Sequence, residues 1–259
     1  MKKCLVTGAG ARLGRAMALY LGSRGFDVAV HYSGSQAGAE ATVAEIKAMG
    51  QDAVALQADL LDEAQVQGLL PKASARLGGP ITCLVNNASI FEHDTLASGT
   101  RTTWDRAIES NLRAPMVLIQ AMAAQGLVAG QDAQGEPVSA GLVVNMIDQR
   151  VRKLTPEFTS YTIAKMGLWA LTRTAAQELT PAIRVNGIGP GPTLQGGRQS
   201  AEDFARQRAS TISGRGSNPS DITAALGYFL DAPAVTGQLL CVDGGQHLGW
   251  ETPDVLGVE

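Results

Sequence analysis

A short apolar run, a glycine-rich turn and a helix follow one another directly at the start of this chain, and few folds accept that succession. Lys3-Cys-Leu-Val-Thr-Gly8 ends on a turn residue, and Ala9-Gly-Ala-Arg-Leu-Gly14 leads into Arg15-Ala-Met-Ala-Leu-Tyr-Leu21, whose apolar residues recur at helical spacing. Gly8, Gly10 and Gly14, with Arg12 and Leu13 between them, let the backbone turn tightly. They also let a pyrophosphate approach the amides that open the helix. Strand-like runs then alternate with helical patterns along the chain, with strands expected at 27–33, 55–60, 81–89 and 142–148. That order predicts an α/β fold: one domain over residues 1–259, a Rossmann-like doubly wound parallel sheet flanked by helices. Apolar residues make up 45% of the chain, enough to cover both faces of such a sheet.

In sheets of this kind ligands bind at the carboxyl ends of the strands, so the residues there carry the functional reading. After the second strand, where an acidic residue would meet a ribose without a 2′-phosphate, the chain has none. It offers His31, Tyr32, Ser33 and Ser35, with Arg12 from the glycine turn, as donors to a phosphate. NADPH is therefore expected over NADH. Asp59, with Leu60, closes the third strand, where it is either an acceptor for an adenine amino group or a loop cap ahead of the helix at Asp62. At the end of the fourth strand, Asn86 and Asn87 bring two amides that can brace neighbouring loops, followed by Ala88 and Ser89.

Tyr161 and Lys165 are one helical turn apart, so both side chains leave the same face. A nearby ammonium favours the phenolate, which would bring Tyr161 down toward neutral pH as a general acid; the alternative is a half-buried tyrosine beside a solvated lysine. Within an expected helix over 101–122, Pro115 has no N–H for the carbonyl of Asn111. That carbonyl is then able to hold a water that resupplies Tyr161 through Lys165, unless the proline marks only a packing kink.

The net charge of −3 with no basic cluster argues against nucleic acid or an anionic membrane as partner. No apolar stretch approaches 20 residues, and the chain enters its first strand without a signal pattern, so a cytoplasmic location is expected. Cys4, Cys83 and Cys241 sit in apolar runs and read as free thiols. His31, His93 and His247 are scattered, and no metal site is expected. Residues 126–141, rich in Gly, Gln and Ala, read as a mobile surface connection. Residues 193–217, after the Pro190-Gly191-Pro192 turn, read as a lid over substrate, and the tail over 246–259 carries an exposed-looking Trp250.

Taken together, Thr7-Gly8 with Gly14, Asp59, Asn86-Asn-Ala88, Asn111, Tyr161 with Lys165, and Pro190-Gly191 resemble the short-chain dehydrogenase/reductase family across essentially the whole chain. Two departures from its usual pattern stand out: Arg12 replaces a glycine, and Asp148 replaces the catalytic serine. Both occur together in pteridine reductases and dihydromonapterin reductases, which this chain also resembles in Asn87-Ala-Ser89-Ile-Phe91 and Asn145-Met-Ile-Asp148. It departs from them at Gly34, where they often carry a basic residue.

The resemblance implies an NADPH-dependent reductase of pterins such as dihydromonapterin or dihydrobiopterin, with dihydrofolate as a further substrate. Tyr161 would be the acid/base, Lys165 would bind the nicotinamide ribose, and Asn111 would join a proton relay. Asp148 would assist at a ring nitrogen, Phe91 would stack on the pterin, and Ser89 and Arg12 would line the site. A homotetramer is the implied assembly, with the tail reaching a neighbour. Two other readings stay open: a carbonyl or alcohol oxidoreductase of the same family, and a nucleotide-sensing protein without turnover.

Overall fold

Leu5 and its neighbours Cys4 and Val6 point to opposite faces of a sheet, and all three are fully buried. A strand apolar on both sides belongs in the middle of a three-layer structure. The computed structural model, which describes residues 2–197 and 199–252, has that architecture.

In chain order the strands are β1 (Lys2–Val6), β2 (Phe26–Tyr32), β3 (Ala53–Gln57), β4 (Cys83–Asn86), β5 (Gly130–Gln131), β6 (Pro137–Val138), β7 (Gly141–Met146), β8 (Ile183–Pro190) and β9 (Leu239–Val242). The α-helices are α1 (Arg12–Ser23), α2 (Gln36–Ala48), α3 (Glu63–Leu77), α4 (Arg101–Ile108), α5 (Ala114–Ala123), α6 (Thr159–Leu179), α7 (Ala201–Ala209) and α8 (Pro219–Asp231). Seven strands form one sheet in the order β3-β2-β1-β4-β7-β8-β9, every pair parallel. The order reverses between β1 and β4, so the ligand crevice opens beyond their carboxyl ends.

On one face Leu5, Leu84, Val143 and Val185 pack with Leu69 and Leu70 of α3, Leu118 and Met122 of α5, and Ala175 of α6. On the other, Cys4, Val6, Val30 and Val144 meet Met17 and Leu21 of α1, Ile46 of α2 and Phe229 of α8. Truncating any of the large buried side chains to alanine is expected to cost about 3 kcal/mol. Among the described residues no helix is long and apolar enough to cross a membrane.

Two regions depart from the sequence expectation. The helix expected over 101–122 is two helices joined by a π-turn over Glu109–Arg113, in which the Ala114 N–H reaches the carbonyl of Glu109. Pro115 cannot donate in the α register, and the chain slips by one residue where Asn111 sits. The connection at 126–141 is a small hairpin of β5 and β6 whose turn is organised by Asp132, which accepts from the amides of Gln134 and Glu136. The expected lid segment contains α7, capped by the Ser200 hydroxyl accepting from Asp203 N. The tail beyond residue 252 lies outside the described residues.

Candidate active site

At the end of β1 the cleft wall is backbone. Gly8 has φ +63°, and a Cβ on Gly14 would lie 2.1 Å from the Gly8 carbonyl oxygen, so the start of α1 can sit against the turn only without a side chain there. Gly10 lies against the head of α2, where an added Cβ would be 2.9 Å from the Ser35 carbonyl oxygen. Thr7 ties this turn to β4: its hydroxyl accepts from the amides of Asn87 and Ala88, and its carbonyl accepts from Asn87 Nδ2 at 2.8 Å. A cavity of about 390 Å³ opens here, lined by Gly8, Arg12, Leu13, Gly14, Ala88 and Ser89 among others.

The donor set suits an anion. Asp62, Thr100 and Ser200 cap α3, α4 and α7 with side-chain oxygens. By contrast α1 starts from Ala11 and α2 from Ser35 with no side-chain cap, which leaves their first amides for a ligand.

His31 is not a phosphate donor. It is 1% exposed; its Nδ1 accepts from Gly8 N at 3.0 Å, and its Nε2 lies 3.1 Å from the Ala58 carbonyl. Burial brings its pKa down to about 4 against the opposing bond to Ala58, so it is a neutral brace holding the glycine turn to β3. Tyr32 is half-buried against the α1/α2 core, and Ser33 and Ser35 remain on the surface. Asp59 is exposed and holds Leu61 N at 3.0 Å, while the side chain of Leu60 belongs to the core rather than to the cleft. Pro190 ends β8 and Gly191 follows it against Asp243, with Gly191 N bonded to the Val242 carbonyl.

Arg12 adopts φ +51°, a left-handed conformation that disfavours any residue with a Cβ. Its guanidinium donates to the carbonyls of Gln195 at 2.9 Å and Leu194 at 3.1 Å, strapping the segment after β8 across the mouth of the cradle.

At the end of β7 the wall is made of side chains. Asp148 caps a short 3-10 turn by accepting from Arg150 N at 2.8 Å, and its other oxygen accepts from the Tyr161 hydroxyl at 2.9 Å. Burial raises the pKa of Asp148; its hydrogen bonds and, more weakly, the charges of Arg150 and Lys165 oppose that. Lys165 is one turn along α6. It donates to the Met146 carbonyl at 2.8 Å and lies 5.6 Å from the centre of the Tyr161 ring.

The expectation that Lys165 would depress Tyr161 is overturned. Burial, then the charge and hydrogen bond of Asp148, push the tyrosine well above its ordinary value, while burial lowers Lys165 to about 8. The pair bonded through Tyr161 Oη therefore favours a protonated phenol. Asn111, fully buried in the π-turn, donates to the carbonyls of Ile90 and Ala107 and accepts from the Ser89 hydroxyl at 2.7 Å. Ser89, which also acts to lower the Tyr161 pKa, connects the tyrosine to Asn111.

Three further residues complete the site and carried no sequence signal. Phe158, in a left-handed conformation at φ +59° before α6, stacks on Phe91 with ring centres 4.2 Å apart and planes 8° from parallel. Phe91 also meets Tyr161 edge to face at 4.7 Å. The Arg150 guanidinium lies over Phe158 at 5.1 Å. Asp94, buried in the loop after β4, accepts from Ser160 N and from the Ser160 hydroxyl, and its carbonyl accepts from Phe158 N. It thereby fixes the first turn of the helix that carries Tyr161. A cavity of about 750 Å³ opens beside this cluster, between Phe91, Phe158, Arg150 and Arg12 on one side and Leu194 and Asp203 on the other.

Residues 2–205 match the family model described as short chain dehydrogenase. The structure is similar to that of the FolM alternative dihydrofolate reductase 1 from Brucella canis complexed with NADP, with a TM-score of 0.90 and 44% identity over 98% of this chain and 97% of that one. The Brucella suis counterpart, also with NADP, gives 0.89 and 44% over 98% of each. The chain is also 32% identical, over 95% of its length and 98% of the relative's, to the 3-oxoacyl-[acyl-carrier-protein] reductase FabG of Staphylococcus aureus.

Proposed function

Because this chain belongs to the short-chain dehydrogenase family, we propose that it is an NADPH-dependent reductase of pterins, acting on a ring C=N of dihydromonapterin- or dihydrobiopterin-like substrates. The observation that carries this reading is the carboxyl of Asp148 hydrogen-bonded to the Tyr161 hydroxyl beside the Phe91 ring. The similarity to two alternative dihydrofolate reductases solved with NADP supports it.

The residues present fit the cofactor. The uncapped start of α1 and the Gly8–Gly14 contact make a cradle for a pyrophosphate, and the head of α2 with Ser33 and Ser35 suits a 2′-phosphate. Lys165 and Tyr161 would face the nicotinamide ribose. When bound, NADPH supplies the hydride.

What the chain itself contributes is proton control and shape. Tyr161 keeps a proton on Oη because burial and Asp148 disfavour the phenolate. Asp148, raised by burial, can return a proton to Oη once Tyr161 has given its own to the substrate, and can present a carboxyl edge to ring nitrogens and an exocyclic amine. A serine hydroxyl cannot hold a proton in reserve in this way. Ser89 and Asn111 extend the relay away from the cleft. Phe91 gives a flat ring a surface to stack on.

The test is NADPH oxidation with 7,8-dihydromonapterin and dihydrobiopterin beside a 3-oxoacyl thioester and simple ketones. Turnover of the pterins but not the carbonyls is expected. Turnover of the thioester alone would replace this reading with the activity named for the staphylococcal relative.

A further inference from the structure

We infer that Arg150 reads a carboxylate on the substituent of the planar substrate, which makes it a specificity-determining residue; the inference rests on the pterin-reductase reading above. Several arginines of the chain are neutralised by acidic partners, as in Arg24 with Asp231, Arg106 with Glu92 and Arg215 with Asp221. Arg150 has no such ion pair among the described residues. Its Nη1 donates to the Thr155 hydroxyl and, at 3.5 Å, to the Glu157 carbonyl, both uncharged, and its Nε is buried with no hydrogen-bond partner.

A guanidinium carries five N–H donors in a rigid fork matched to a carboxylate, and the Nη2 end of Arg150 makes no hydrogen bond among the described residues, which leaves it for a ligand in the cavity. The Phe158 ring, its centre 5.1 Å from the guanidinium carbon, helps hold the group in place. The cavity that Arg150 lines measures about 750 Å³, within the range that encloses a drug-sized ligand and larger than a bare bicyclic ring requires.

The other charges on that cavity point the same way. Among the described residues Arg12 bonds to carbonyls alone, and the acid on the wall, Asp203, is already paired with Arg206 and the Ser200 hydroxyl. A ring seated near Phe91 and Tyr161 would extend its substituent toward Arg12 and Arg150, neither of which has an ion pair among the described residues. A neutral polyol chain gains little there, and a carboxylate-bearing one gains a charge-assisted, forked contact.

The competing role for Arg150 is electrostatic support of Asp148, whose pKa it lowers. That role would affect every substrate alike. The experiment compares dihydrofolate with dihydrobiopterin in steady-state assays of the wild type, Arg150→Gln and Arg150→Lys. It is paired with calorimetric binding of folic acid and biopterin to the NADP-loaded proteins. Arg150→Gln is expected to lower kcat/KM for dihydrofolate at least about ten-fold more than for dihydrobiopterin, mainly through KM, with folic acid affinity falling in parallel and Arg150→Lys recovering part of it. Equal losses for both substrates, or a loss confined to kcat, would overturn the inference. If the wild type turns over neither dihydropterin, the functional reading fails separately. Calorimetry then decides the role of Arg150: weaker folic acid binding in Arg150→Gln supports it, and unchanged or absent binding overturns it.

Discussion

Beside β1 the cleft is walled by backbone: Gly8 and Gly14 pressed together, an uncapped helix start, and one imidazole, His31, committed inside the wall to Gly8 and Ala58. Beside β7 it is walled by side chains that meet from distant parts of the chain: Asp148, Tyr161, Phe91, Phe158 and Arg150. Amides and closely packed glycines can hold a phosphate chain but have little means of choosing among substrates. Selectivity is concentrated on the second wall, where one substitution changes an acid, an aromatic surface or a charge. Substitutions on the first wall are expected to act on stability and cofactor grip, and those on the second on turnover.

The sharpest way to break this contrast is Tyr161→Phe. Loss of the proton is expected to lower kcat about 1,000-fold, about 4 kcal/mol, while circular dichroism and the thermal midpoint change little. A comparable loss of stability would put Tyr161 on the structural side instead. His31 gives the mirror image. Its folded pKa of about 4 lies below the unfolded value near 6.5, so the unfolded chain takes up the proton first as the pH falls. Its contribution is complete above about pH 6.5 and drains away toward pH 4, by about 3 kcal/mol. Urea unfolding at pH 7 and 4.5 would show this slope in the wild type and a shallower one in His31→Asn; equal slopes would remove His31 as the source.

Asp148→Asn keeps the shape and removes the acid. Pterin reduction is expected to fall about 30-fold, about 2 kcal/mol, with cofactor affinity unchanged by fluorescence titration. An unharmed pterin reductase that gained ketone reduction in Asp148→Ser would defeat the proposed role. Arg12→Gly should show the smallest effect. Relief of the positive φ, worth about 1 kcal/mol, offsets two lost hydrogen bonds, so stability shifts by no more than about 1 kcal/mol. Amides after β8 are expected to exchange faster; unchanged exchange there would mean that the strap does not hold the segment.

The same contrast explains what the sequence made legible. The sheet and cradle follow from local spacing, because glycines and apolar alternation dictate backbone directly, and Tyr161 with Lys165 follows from one helical turn. The bracing role of His31 is not legible locally, because its burial depends on Gly8 and Ala58, 23 and 27 positions away. Phe158 against Phe91, and Asp94 under Ser160, are contacts across 66 or more positions, made by a left-handed residue and a loop acid that no periodicity marks. The direction of the Tyr161 shift is hidden for a related reason: helical spacing places the lysine, but not the bond of its ammonium to Met146 or the carboxyl that holds the phenol. The π-turn at Asn111 was visible only as a proline.

Arg12 belongs to the cradle by its backbone and to the segment after β8 by its guanidinium. A molecule that settles one therefore biases the other, and the coupling is reciprocal by thermodynamic necessity. Nucleotide at the cradle is therefore expected to slow amide exchange in the segment after β8, and a ligand held under that segment to tighten the grip on the nucleotide. Both effects should shrink once the guanidinium is gone, and equal protection in wild type and Arg12→Gly would show that it does not carry the coupling.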